Sequence, residues 1–377
     1  MSFRITAARR AVAAAFFVNG AVFATWAARI PSIKENLALN DSQLGLALLC
    51  IGIGALVAFS MTGRLIARFS SRVVMIAAGL GLCVTLPLLA LAPSMAMLFA
   101  ALVAFGLCNG GMDVAMNAHG VGVEQEYGQP TMSFFHGMFS LGGLAGAATG
   151  ALNASLEITP LLHFSGVATC LACVVAGCAP RLLPRIEAER NAGSTLAAPD
   201  RRLLGLGAIA FCAFLTEGAM ADWSGVYLRE TLATDAAFAA FGYTAFSLTM
   251  TFTRFTGDRL VHRLGAETIV RVGGLLSCIG LAMGLAIPVP TVGLLGFACV
   301  GGGMAIISPV VFGAAGNMKG MAAGSAIGAV ATMGYSGFLI GPPLIGFLAH
   351  DFGMRLALGL AALLGLVIAL LSRQVAR

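Results

Sequence analysis

The chain has 377 residues, of which 59% are hydrophobic and only 10% charged. A soluble globular surface draws on roughly 25% charged residues, and the apolar residues here run in long blocks, not at one-sided helical spacing, so a soluble globular protein is excluded. The surplus of 22 Lys+Arg over 16 Asp+Glu raises nucleic acid as a partner, but the placement of the charges assigns them to a membrane.

Twelve apolar segments predict spans at 11–30, 42–62, 73–92, 95–117, 131–153, 160–179, 203–227, 237–256, 267–287, 292–316, 322–348 and 355–372. Each is close to the roughly 20 residues that cross about 30 Å of hydrocarbon. Arg4, Arg9 and Arg10 before the first block resemble a signal peptide's charged start, but no small-residue cleavage site precedes a soluble domain, so the block reads as span one. With the N-terminus in the cytoplasm, eighteen of the 22 basic residues fall on the cytoplasmic side, Arg254 among them. Only Arg29, Lys34, Arg229 and Arg355 fall outside. That bias obeys the positive-inside rule and puts both termini in the cytoplasm.

Span one carries Asn19 and Trp26. After span two comes Gly63-Arg64-Leu65-Ile66-Ala67-Arg68-Phe69-Ser70; after span eight comes Asp258-Arg259-Leu260-Val261-His262-Arg263-Leu264-Gly265. Arg, Leu and Arg coincide at an offset of 195 residues, about half the chain. A hydrophilic stretch at 181–202 divides the chain near its middle. The expected organisation is an N-terminal six-helix bundle at 1–180, a cytoplasmic linker at 181–202 and a C-terminal six-helix bundle at 203–377, an all-α membrane protein of two pseudo-symmetric halves.

These loops resemble the signature of the major facilitator superfamily, which runs approximately Gly-x-Leu-Ala-Asp-Arg-x-Gly-Arg-Arg. Gly63, Leu65, Arg68 and Arg72 fit it; Ala67 replaces the acid and Ser70 a glycine. The resemblance implies a central cavity that opens alternately to each side. It also implies a gate formed by Arg64, Arg68, Asp258, Arg259 and Arg263, whose pairing with acids or helix-end carbonyls closes one side. Arginines there also set topology regardless of gating.

Ionisable groups within spans are functional candidates. Asn109, Asp113 and Asn117 in span four share one helix face, with no basic residue in that span. A carboxylate so placed favours its neutral form and is a candidate proton carrier; a structural Asp held by its asparagines is the alternative. His136 in span five is a possible partner. Gly110-Gly111-Met112-Asp113-Val114-Ala115-Met116-Asn117 is similar to the fucose-permease-like branch, which implies a proton-coupling role for Asp113. That branch's first-span Asp falls at Ala27 here. His119, Glu124 and Glu126 read as a solvated loop.

Span seven offers Glu217, then Asp222, Trp223 and Tyr227 in its outer half, where Trp and Tyr favour the interface. Asn19, Trp26, Asn109, Asn117, Trp223, Tyr243 and Tyr335 are the polar and aromatic groups available to a hydroxylated solute. Glycine stripes mark span five (Gly142, Gly146, Gly150) and span eleven (Gly324 to Gly341, then Pro342-Pro343), read as close packing or as interfaces between the halves. The nine cysteines lie in apolar blocks and imply neither disulfides nor a metal.

The expected protein is a monomeric secondary transporter in the inner membrane of a bacterium. Protons and a small solute are its partners, with no cofactor, no metal, no nucleic acid and no catalytic residues. No Arg or Lys falls at a predicted span centre, which argues for a neutral solute such as a sugar, carried by proton symport through Asp113, His136 and Glu217. A proton-driven exporter and a non-transporting receptor or assembly factor are the alternatives.

Overall fold

A computed structural model describes residues 3–128, 131–184, 201–318, 321 and 323–376, all helix or short connection with no strand among them. Fourteen α-helices follow in chain order: α1 Phe3–Ala27, α2 Ile30–Asn36, α3 Asp41–Phe69, α4 Ser71–Leu91, α5 Met95–Tyr127, α6 Met132–Ser155, α7 Pro160–Cys178, α8 Leu204–Val226, α9 Ala236–Leu264, α10 Ala266–Ala286, α11 Pro290–Met304, α12 Ile307–Gly316, α13 Ala323–Phe352 and α14 Met354–Leu371. Ten stretches are long and apolar enough to cross a membrane by length and composition alone. With α6 and α9, and with α11 and α12 counted as one broken span, twelve spans result. Among these helices only the short α2, set off from α1 by a turn at Ala28–Arg29, is not part of a span.

The chain forms two compact units, Met1–Leu39 with Ala47–Ser194, and Asn40–Leu46 with Thr195–Arg377. Residues 185–200 of the expected linker lie outside the described residues, as do Pro130 and Lys319, and the side chains at Gly324 and Asp258.

The 195-residue offset extends far beyond the two arginine loops. Helices α3 and α9 begin and end 195 residues apart, as do α4 and α10, and α5 and α11 begin so. Ala38 and Ala233, equivalent in this register, both take positive φ (48° and 52°) just ahead of α3 and α9. The helix caps match too. Gln43 N donates to Asn40 Oδ1 at 2.8 Å and Asn40 N to Gln43 Oε1 at 3.0 Å, a reciprocal cap; Phe238 N donates to Asp235 Oδ1 at 2.7 Å.

Close helix contacts recur in the same register. A Cβ on Gly106 would stand 2.1 Å from the Ile51 carbonyl oxygen, and one on Gly301 would stand 2.1 Å from that of Phe246. Only glycine allows backbones to approach so nearly. Where Gly54 meets the Val103 carbonyl, the equivalent Thr249 donates its hydroxyl to the Ala298 carbonyl at 2.7 Å. The predicted glycine stripes are used inside each unit. Gly142 and Gly146 lie on α1, where added Cβ atoms would meet the carbonyls of Phe17 and Ala21 at 2.1 and 2.3 Å; Gly337 lies on α8 against the Phe211 carbonyl at 2.5 Å.

Several element boundaries differ from the sequence expectation, and three of them bear on the site. Helix α5 continues ten residues past predicted span four, because the backbone hydrogen-bond ladder carries on through polar residues after the apolar run ends. His119 is therefore fully buried, with Ser71 Oγ 2.7 Å from its Nδ1, and not in a solvated loop. Glu124 has a structural task as well: its Oε2 accepts from the backbone N–H groups of Thr131 and Met132, the latter at 2.8 Å, and caps α6. Helix α9 likewise runs on to Leu264. Span ten breaks at Ala305–Ile306, between α11 and α12.

Candidate functional site

In the first unit the polar face of α5 forms as the i, i+4 spacing requires. Asn117 Nδ2 donates to Asp113 Oδ1 at 3.2 Å and to the Asp113 backbone oxygen at 2.9 Å. Asn109 Oδ1, one turn earlier, is buried without a hydrogen-bond partner. Asp113 is half-buried, and no cation pairs with it among the described residues. An amide thus supplies the hydrogen bond that a cation would otherwise give. His136 is exposed on α6, its ring edge-on to Phe16 at 5.2 Å between centroids. Asn19 and Trp26 are buried in α1, with Asn19 Nδ2 and Trp26 Nε1 unpartnered.

At the N-terminal end of α1, a pocket of about 540 Å³ opens between α1 and α6, lined by Arg9, Arg10, Ala13, Ala14, Phe17, Phe134 and Met138. Arg9 Nη1 donates to the Tyr127 hydroxyl at 3.0 Å, and its guanidinium lies 4.8 Å from the Phe134 ring centre.

In the second unit a charge pair stands inside the spans. Glu217 lies mid-way along α8. Arg254 Nη2 approaches its Oε2 at 3.7 Å, and Arg254 Nε donates to the Ala305 carbonyl at 3.4 Å, at the break between α11 and α12. Ten residues of α9 follow Arg254, about 15 Å of helix at 1.5 Å per residue. Arg254 therefore lies farther from the end of α9 than from the end of predicted span eight, and a cation faces Glu217 where the sequence offers none at a span centre. Hydropathy closes span eight at residue 256, which sets Arg254 near the cytoplasmic end of the predicted span. The signal that would have found it is Glu217, because an embedded acid asks for a partner.

Side chains of the pair are 22% and 12% exposed for Arg254 and Glu217, and Glu217 Oε1 has no hydrogen-bond partner. Tyr243 on α9 is close enough for the charges of Glu217, Asp222 and Arg254 to act on it. Trp223 is fully buried with Nε1 unpartnered, and a Cβ on Gly346 would stand 3.2 Å from its ring. Tyr227 is buried as well, its hydroxyl donating to the Gly284 carbonyl at 3.1 Å. Tyr335 is 38% exposed and stacks edge-on to Phe214.

Arg64, Arg68, Arg259 and Arg263 are exposed at the helix ends. None forms an ion pair among the described residues, and Arg68 covers the ring of Phe69 at 5.1 Å.

The sequence profile of the Major Facilitator Superfamily matches residues 12–221 and 206–375. An uncharacterised MFS-type transporter of Yersinia pestis is 38% identical over 363 residues, 96% of this chain and 94% of that protein. The membrane protein MosC of Rhizobium meliloti is 33% identical over 360 residues, 95% of this chain and 88% of MosC. Among solved structures, a point mutant of the nucleoside transporter NupG superposes with a TM-score of 0.79 at 13% identity, covering 98% of this chain and all of that one. A point mutant of the Escherichia coli fucose:proton symporter FucP superposes with a TM-score of 0.66 at 16% identity, covering 98% of each chain.

Proposed function

The chain belongs to the major facilitator superfamily of membrane transporters, and from that premise we propose that it is a proton-coupled symporter of a small polyhydroxylated solute. It works by alternating access in a bacterial cytoplasmic membrane, with both termini inside and its two halves divided at residues 181–202. The observation that carries this reading is Asp113: a carboxylate within a span, held by the Asn117 amide and by no cation among the described residues. A charge at such a place is costly. Proton binding removes it from the half that must reorient, and only the loaded or empty carrier moves readily. His136 and the gate residues Arg64, Arg68, Asp258, Arg259 and Arg263 act in this cycle by assisting proton transfer and closing the cytoplasmic side.

On the solute side, Glu217 and Arg254 neutralise each other and leave Glu217 Oε1 as an acceptor for a hydroxyl. In the first unit Asn19, Asn109 and Asn117 offer amides beside the buried Trp26; in the second Tyr243 and Tyr335 offer a ring face and a hydroxyl beside the buried Trp223. A net-neutral pair in the second unit suits a neutral solute. Sugars and nucleosides are the first candidates, chosen because structures of like fold are named for them. A second reading follows from Arg254: a carboxylate-bearing solute takes the place of Glu217 on the guanidinium.

The test is proton entry into proteoliposomes on adding sugars, nucleosides, sugar acids and amphipathic cations, for wild type and Asp113→Asn. Symport requires one solute to drive proton entry and the substitution to abolish it. Solute flux without protons, or flux coupling that survives Asp113→Asn, refutes the coupling role. Proton release driven by the cations alone makes the protein an exporter. No flux of any of these with a folded protein favours a receptor.

A further inference from the structure

Just beyond α1, Arg29 is a cation with 4% of its surface exposed. Its Nη2 donates to the Ile158 carbonyl, in the turn between α6 and α7. Its Nε has no partner, and no carboxylate pairs with it among the described residues. Lys34, equally buried, has a partner of its own. His163, one turn into α7, is 3% exposed, and neither ring nitrogen has a hydrogen-bond partner.

These two residues are neighbours. A Cβ on Gly150 of α6 would stand 2.4 Å from the Ala28 Cβ and 3.9 Å from His163 Cε1, so the end of α1 and the His163 ring flank one point. Arg29 is close enough for its charge to act on the imidazole.

A guanidinium is not deprotonated in proteins, so Arg29 cannot escape the cost of burial by losing its charge. One carbonyl contact does not offset that cost; negative charge does. Water would satisfy the histidine but would leave the cation uncompensated. We propose that Arg29 and His163 bind a small anion of the chloride class, with Arg29 Nε and a His163 ring N–H as donors. With Arg29 4% and His163 3% exposed, the site admits one small anionic group, either a free ion or the end group of a larger molecule. The bound anion ties the end of α1 to the start of α7, and the site is separate from Asp113 and from the Glu217–Arg254 pair. The same chemistry is available from a lipid phosphate.

The experiment is thermal unfolding of purified protein in chloride and in gluconate at equal ionic strength and pH, for wild type, Arg29→Gln and His163→Phe. A parallel series uses nanodiscs of phosphatidylglycerol and of phosphatidylcholine in gluconate. A ligand that binds only the folded state raises stability with the logarithm of its concentration once above Kd. The expected result is a wild-type Tm several degrees higher in chloride, with the difference lost in both variants and Arg29→Gln at or above wild type in gluconate. A Tm raised by phosphatidylglycerol and not by chloride also supports the site and names lipid phosphate as the source. A wild-type Tm insensitive to both, or a chloride effect that persists in Arg29→Gln, overturns the proposal. Should Arg29→Gln not fold, the wild-type anion dependence and His163→Phe decide.

Discussion

Ser70 and Gly265, 195 residues apart, hold the same backbone conformation: φ 83° and ψ 154° at Ser70, φ 79° and ψ 152° at Gly265. Each turns the chain between two consecutive spans, α3 into α4 and α9 into α10. This region of backbone space is close to glycine-only and costs other residues of order 1–3 kcal/mol. Unit 1 therefore carries strain that unit 2 avoids. Ser70→Gly is expected to stabilise the protein by about 1 kcal/mol after the added flexibility of the unfolded glycine is set against the relief, and Gly265→Ser to destabilise it. Thermal melts in detergent read both; equal Tm values for Ser70→Gly and wild type would remove the strain argument.

His119 contacts the residue that follows that strained turn. Its Nδ1 meets the Ser71 hydroxyl at 2.7 Å, with both residues fully buried. His119→Ala leaves the hydroxyl without this partner and a hole beside it, at a cost of about 1–3 kcal/mol. Because His119 and Ser70 act on the same turn, the loss is expected to be smaller when Ser70→Gly is already present, a coupling that a double-mutant cycle measures.

Much of the fold was legible because two cues, hydropathy and the Arg-Leu-Arg recurrence, both report on it directly. The recurrence of Arg64, Leu65 and Arg68 at Arg259, Leu260 and Arg263 revealed a register that the caps at Asn40 and Asp235 and the contacts of Gly106 and Gly301 also obey. What escaped was wherever a helix outlasts its apolar run. Hydropathy ended span four before His119 and span eight just after Arg254, since both helices continue on polar residues. The charge pair in unit 2 escaped for a different reason, although Arg254 falls inside predicted span eight and Glu217 is a candidate in its own right. Carboxylate and guanidinium come from different helices, and no spacing within either one announces the meeting. Arg29 and His163 were hidden in the same way.

The glycines at the equivalent contacts give a prediction that tests the register itself. Gly106→Ala and Gly301→Ala each place a methyl 2.1 Å from a carbonyl oxygen of the facing helix, and the backbones must separate to admit it. Overpacking of this kind costs typically 1–3 kcal/mol. Both variants should lose comparable stability in a detergent melt, whereas Gly166→Ala, where an added Cβ meets nothing within 4 Å, should be neutral. A harmless Gly301→Ala would mean that the close approach of α9 and α11 is not maintained.

Glu217 and Arg254 are expected to behave as a unit. Removing one partner leaves the other's charge within the spans, whereas removing both leaves none. Glu217→Gln and Arg254→Gln should each destabilise, by no more than about 3 kcal/mol because the pair is partly exposed and its members are 3.7 Å apart. The double substitution should recover part of that loss. Transport separates this from packing alone. If the pair lines the solute path, the double variant melts near wild type yet loses solute affinity, seen as a raised KM. If it also holds the break at Ala305–Ile306 through the Arg254 Nε bond, Arg254→Gln should lower kcat more than Glu217→Gln does. Restored stability together with unchanged KM and kcat would make the pair a structural contact and remove Glu217 and Arg254 from the solute site.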